Sequence, residues 1–180
     1  MLSGKFVLRL DPETHQSLKE EAKAHGESLN SLCLRKLKGG ANTAVGSEIT
    51  DRIVQEFAPE GLVLFGSVAR GEASARSDVD LLIVLPQEVP ISRKLYQQWD
   101  EVFRHVGDKY SPQFVHLPKT QEVIGSIWLE TALDGEILYD EKKLVKSVLI
   151  KIRSQIAEGR YLRKVSHGHS YWIRQEPHAE

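Results

Sequence analysis

Cysteine is nearly missing: Cys33 is the only one in 180 residues. A lone thiol excludes an internal disulfide and any cysteine-based zinc cluster. It falls in an apolar helical pattern and reads as a core residue. Long apolar runs are missing too. None approaches the roughly 20 residues that span a bilayer. The opening Met1-Leu-Ser-Gly-Lys5 lacks a signal peptide's apolar region. The expectation is a cytoplasmic protein with no membrane attachment. No internal repeat or low-complexity tract stands out.

A strong charge of one sign is also absent. The net charge of −1 gives no sign of a nucleic-acid partner for the chain as a whole. The average conceals a segregation. Residues 1–38 carry a net +2, residues 39–140 a net −8 and residues 141–180 a net +5. Basic ends around an acidic middle suit a phosphate- or nucleic-acid-facing periphery around a metal-binding centre. What remains, 41% hydrophobic and 27% charged residues, is the balance of a soluble globular chain. The length suffices for one core of ordinary size, or for a domain plus a small module.

The most informative stretch is GLVLFGSVARGEASARSDVDLLIVL, residues 61–85. Leu62 to Phe65 reads as a buried strand ending at a glycine, and Val79 to Leu85 as a central strand apolar on both faces. A tight turn, a short helical segment from Ser67 to Arg70 and a polar loop lie between them. Strand residues two apart point the same way, so Asp78 and Asp80 project together. Adjacent carboxylates disfavour each other's ionisation, and a divalent cation relieves that. Gly66 lets a backbone approach a phosphate closely. Ser67 opens the short helix, and Arg70 offers a guanidinium fork. The stretch predicts a phosphate cradle beside a metal-binding Asp pair.

GSVARGEASARSDVDLLIV resembles the nucleotidyltransferase signature Gly-Ser-x-x-x-Gly…Ser-Asp-x-Asp-Leu of DNA polymerase beta-like and minimal nucleotidyltransferases. Gly66, Ser67, Arg70, Gly71, Ser77, Asp78, Asp80 and Leu81 carry the match. The resemblance implies that Asp78 and Asp80 are catalytic and hold two Mg²⁺ (or Mn²⁺) ions. It implies that Gly66, Ser67, Arg70 and Ser77 grip a nucleoside triphosphate, ATP by expectation. The family reaction joins the α-phosphate to a hydroxyl and expels pyrophosphate.

Before this stretch, Phe6, Leu8 and Leu10 share one strand face, and Lys5, Val7 and Arg9 the other. Asp11 caps a helix with Pro12 at its first position, and Gly26 stops it. Ser28 caps a second helix carrying Leu29, Leu32, Cys33 and Leu37 at helical spacing. One strand and two short helices cannot bury a core alone, but two copies can, with the strands paired antiparallel. FVLRLDPETHQSLKEEAKAHGESLNSLCLRKL resembles ribbon-helix-helix repressors. That implies a homodimer, contacts to operator DNA from Lys5, Val7 and Arg9, and a phosphate clamp at Ser28 to Asn30. The alternative is an appendage that packs without DNA.

The domains expected are a ribbon-helix-helix module over 1–38, a linker over 39–46, a nucleotidyltransferase domain over 47–158 and a basic aromatic tail over 159–180. Ser47 caps a helix; further helices are expected over 92–107, 120–133 and 141–158, and strands over 112–117 and 135–139. The fold class is α/β (α+β) with a small mixed sheet. In the tail, Tyr161, Tyr171 and Trp172 lie among Arg160, Arg163, Lys164 and Arg174. Such a mixture suits base stacking, and docking of the tail through Trp172 is at least as good an account. His167 and His169 read as polar residues rather than half a metal site.

One departure from the family stands out. Its third carboxylate belongs on the strand 112–117, where nothing is acidic. The match puts Gln113 there, with His116 on the opposite face, and Gln is neither charged nor a base. Two functions therefore compete. One is a Mg-dependent enzyme transferring NMP to a hydroxyl of a protein, antibiotic or RNA. The other is a catalytically weak antitoxin or transcriptional regulator that binds DNA and a partner toxin. The family includes antitoxins, some of which modify their toxin with AMP.

Overall fold

A computed structural model describes residues 9–24, 28–30, 32–33, 45–74, 77–119, 123–166 and 169–175. The chain divides into two compact units, Met1–Gly40 and Ala41–Glu180. In the first, helix α1 spans Pro12–Ala24. Asp11 caps it: Thr14 donates its backbone N–H to Asp11 Oδ1 at 2.8 Å and its hydroxyl to Oδ2 at 2.7 Å. These bonds hold the Asp11 carboxyl below its ordinary pKa. Ala22 and Leu32 are buried. Lys5 and Val7 lie outside the described residues.

The second unit is a four-stranded mixed sheet between two helical layers, the α/β class expected. Its strands are β1 (Gly61–Phe65), β2 (Val79–Leu85), β3 (Tyr110–His116) and β4 (Glu136–Tyr139). Their order is β3-β2-β1-β4. β1 runs antiparallel to β2 and β4, and β3 runs parallel to β2. One face of the sheet packs on α2 (Ser47–Phe57) and α4 (Arg93–Val102) through Ile53, Phe57, Trp99 and Phe103. The other packs on α5 (Ser126–Asp134) and α6 (Leu144–Ala157) through Trp128, Leu129, Val145, Leu149 and Ile152. Burial on both faces explains the unbroken apolar run of β2. Leu62, Val63 and Leu64 are fully buried, each contributing roughly 1.5–3 kcal/mol of hydrophobic free energy.

Several boundaries differ from the sequence expectation. The helix expected over 92–107 ends at Val102 and continues as a 3-10 helix over Arg104–Lys109. The backbone leaves helical geometry at Phe103, whose ring packs against Trp99 with centroids 4.2 Å apart and planes tilted by 32°. Ser47 begins α2 without capping it; Gly46 is the N-cap. Helix α5 starts only at Ser126, behind Gly125. Asp140 accepts the N–H groups of Val145 and Lys146, which sets the start of α6. The segment expected as a tail forms a hairpin of β5 (Tyr161–Ser166) and β6 (His169–Arg174). Tyr161 is buried in the core between the sheet and helices α5 and α6, and Trp172 packs against that core. Among the described residues, no helix is long and apolar enough to cross a membrane.

Candidate active site

Antiparallel pairing brings the end of β1 against the start of β2, with Phe65 directly opposite Asp80. There the chain turns through Gly66 into α3, a single helical turn over Gly66–Ala69. Gly66 has φ +76°, a left-handed conformation that strains any L side chain. An added Cβ would overlap Asp80 Oδ2 and lie 3.0 Å from its Cγ. The Asp80 carboxylate therefore sits directly on the Gly66 backbone.

Asp80 is the one residue of β2 that is not buried. Its pKa is raised, first by burial, then by the charge of Asp78; Arg70 acts in the opposite sense. Asp78 lies just before the strand and is exposed. A carboxylate pair with one member held against its preferred charge suits a divalent cation that completes its shell with substrate phosphates. Among the described residues, no group of three or more His, Cys, Asp or Glu is placed to hold a metal.

Arg70 donates from Nε to Glu72 Oε2 at 2.7 Å. Glu72 raises the guanidinium pKa, with smaller contributions from Asp134 and Glu130. Ser67 accepts from the Glu72 N–H through its backbone carbonyl, leaving its side chain at the half-buried corner. Ser77 closes its loop on Ser74: Ser74 N–H donates to Ser77 Oγ at 2.9 Å, and the two hydroxyls lie 3.1 Å apart.

On β3, parallel register puts Ser111 level with Asp80, and Gln113 level with Leu82. Tyr110 and Phe114 belong to the core on the α2 and α4 side of the sheet, and Val115 packs on the α5 and α6 side. By alternation, Ser111 and Gln113 share the face of Asp80. Gln113 is two residues further along, about 7 Å at strand spacing. His116 is on the other face, level with Leu85, its Nε2 bonded to the Val89 carbonyl at 2.8 Å. It ties down a loop far from the aspartates.

A cleft of about 390 Å³ opens beside Gly66. Phe65, Gly66 and Arg70 form one side, Ser126, Ile127 and Glu130 of α5 another, and Arg163 and Trp172 of the hairpin the third. The sequence placed Arg163 in a basic aromatic segment and offered Trp172 as the residue through which that segment docks, which its packing against the core bears out; it gave no sign of Glu130. Glu130 had no local signal, because its partners lie 33 and 42 residues away. In the first unit, Arg9, Ser28 and Asn30 are exposed.

This architecture and corner define a nucleotidyl-transfer fold. The nucleotidyltransferase domain family matches residues 47–166, two thirds of the chain, and the protein belongs to that family. The HicB family matches residues 1–37. Among solved structures, the chain is similar to a toxin–antitoxin complex with AMP-PNP: 13% identity, TM-score 0.48, covering 64% of this chain and 90% of that one. It is also similar to the MntA–HepT toxin–antitoxin (11% identity, TM-score 0.43, 63% and 86% covered). A third is the tri-AMPylated Shewanella oneidensis HEPN toxin in complex with MNT antitoxin (10% identity, TM-score 0.43, 63% and 85% covered). No curated protein sequence matches.

Proposed function

We propose that this chain transfers a nucleoside monophosphate from a nucleoside triphosphate, ATP by preference, to a hydroxyl acceptor, with Asp78 and Asp80 holding Mg²⁺ or Mn²⁺. One observation carries this: the Asp80 carboxylate is seated on Gly66 while burial and Asp78 disfavour its charge. When bound, the cation neutralises developing charge on the phosphoryl oxygens. Gly66 admits a phosphate close to the backbone, Ser67 offers a hydroxyl and Arg70 a guanidinium. Ser77 keeps the loop before Asp78 closed. In the transfer, the acceptor oxygen bonds to the α-phosphorus, the bridge to the β-phosphate breaks and pyrophosphate leaves. Ser111 and Gln113 are not bases, so the acceptor's proton passes to water, and turnover is slow. Labelled triphosphate with Mg²⁺ and cell extract tests the activity. A labelled acceptor that disappears in Asp80→Ala supports it; equal labelling by that variant contradicts it.

The absence of an acid on β3 favours a second function: a regulator that binds nucleotide and a toxin partner with little turnover. In either case residues 1–38 form a dimerising ribbon-helix-helix module on operator DNA. Lys5, Val7 and Arg9 meet the bases, and Ser28 and Asn30 meet a phosphate. The HicB-family match over 1–37, the Asp11-capped helix and the exposure of Arg9, Ser28 and Asn30 support this.

A further inference from the structure

The cleft beside Gly66 is built from two sources. Its corner and α5 lie within the family match, whereas the second hairpin strand, His169–Arg174, lies beyond residue 166 where the match ends. Arg163 and Trp172 are cross-strand partners, so one rung of the ribbon supplies both. Both close on Glu130. Arg163 Nε donates to Glu130 Oε1 at 3.1 Å, and its Nη2 lies 3.0 Å from Oε2. Trp172 Nε1 donates to Oε1 at 2.8 Å. A bidentate Arg–carboxylate pair with an indole donor on the same carboxylate fixes three planar groups in place. The wall is rigid, and its cation is already matched by an anion.

Such a wall is a poor second anion site, because Arg163 spends its charge on Glu130. It suits an uncharged flat ring, which gains from an aromatic face and from polar groups held at its edge. The opposite side holds Gly66 and Arg70, to which the proposed function assigns the phosphates. Whatever is bonded to those phosphates enters this cleft, whose 390 Å³ lies within the size range of small-ligand pockets. We infer that the β5–β6 hairpin forms the nucleoside site, with the base of the triphosphate packed on Trp172 and the Glu130–Arg163 pair holding that ring in place. This rests on the nucleotidyltransferase reading and adds what selects nucleotide over bare polyphosphate.

The test compares the full chain's affinity, in Mg²⁺, for each of the four ribonucleoside triphosphates and for inorganic tripolyphosphate. At least one nucleotide binds about ten-fold tighter than tripolyphosphate, which corresponds to one stacked base. Trp172→Ala removes that difference and leaves tripolyphosphate affinity unchanged. Trp172→Leu keeps apolar bulk against the core and also removes it; Trp172→Phe keeps an aromatic face and retains most of it. Equal weakening of nucleotide and tripolyphosphate in Trp172→Leu overturns the inference and leaves the hairpin a structural brace. So does a nucleotide preference untouched by any of the three variants. Binding of neither ligand to the wild-type chain overturns the nucleotidyltransferase reading itself, and this inference with it.

Discussion

Asp80 Oδ2 occupies the space that a side chain at residue 66 would need. The two residues belong to different strands' ends, and neither position makes sense alone. The glycine leaves room for the carboxylate, and the carboxylate stands at the mouth of the turn that the glycine makes.

Gly66 and Gly71 both have positive φ, +76° and +71°, but only Gly66 has a neighbour in the Cβ position. Each Gly→Ala change carries about 1–2 kcal/mol of left-handed strain. Gly71→Ala should cost that and keep nucleotide binding. Gly66→Ala must also displace Asp80 and should abolish the Mg²⁺–nucleotide shift in melting temperature. Thermal melts of both variants, with and without Mg²⁺ and ATP, check this; equal ligand shifts in the two would refute it.

The raised pKa of Asp80 has a signed consequence for stability. A carboxyl whose folded pKa lies above its unfolded value binds its proton more tightly when folded. The stabilisation is complete below the unfolded pKa, about 3.9, and is lost as pH rises through the folded value. Asp80→Asn removes the unfavourable charge, so metal-free Asp80→Asn should melt higher than wild type at pH 7. The gap should shrink as pH falls toward the unfolded value. Mg²⁺ should raise the melting temperature of wild type and not that of the variant. A variant less stable than wild type at pH 7 without metal would contradict this.

Strand β3 offers two positions on the face of Asp80. Ser111 is level with it and Gln113 lies one strand repeat beyond. An acid restored at the right place should raise labelled-nucleotide turnover by at least ten-fold, in the range of general acid–base effects. Ser111→Asp and Gln113→Asp, assayed side by side, identify which position matters. No gain in either would mean that slow turnover has another cause.

The first two strands of the sheet were legible because their signals are local. Four apolar residues before Gly66 mark β1, and Asp80 ahead of the five apolar residues Leu81 to Leu85 marks the head of β2, opposite the end of β1. The helix expected over 92–107 has an equally local signal, the apolar residues Leu95, Trp99 and Val102 at three- and four-residue steps, and they pack on one core. Three features were not legible. The break after Val102 follows the backbone at Phe103, which apolar periodicity continues straight through. In β5 only Tyr161 is buried, and its apolar residues Tyr161, Leu162 and Val165 do not alternate along the strand. The cleft wall depends on Glu130 meeting Arg163 and Trp172, a contact between segments that no sequence window contains.

For the N-terminal module, a DNA site selected from a random pool should bind with an affinity that falls steeply as salt rises. Arg9→Ala should weaken it about ten-fold or more. Gel shifts over a salt series measure both. Unchanged binding by Arg9→Ala would reject Arg9 as a base-reading residue.

The most direct test of the central claim is calorimetric titration of the full chain with each ribonucleoside triphosphate in Mg²⁺, alongside Asp80→Ala. The account predicts heat and a raised melting temperature for wild type with at least one nucleotide, and neither for the variant. No heat and no melting shift with any of the four, or identical heats for wild type and Asp80→Ala, would contradict it.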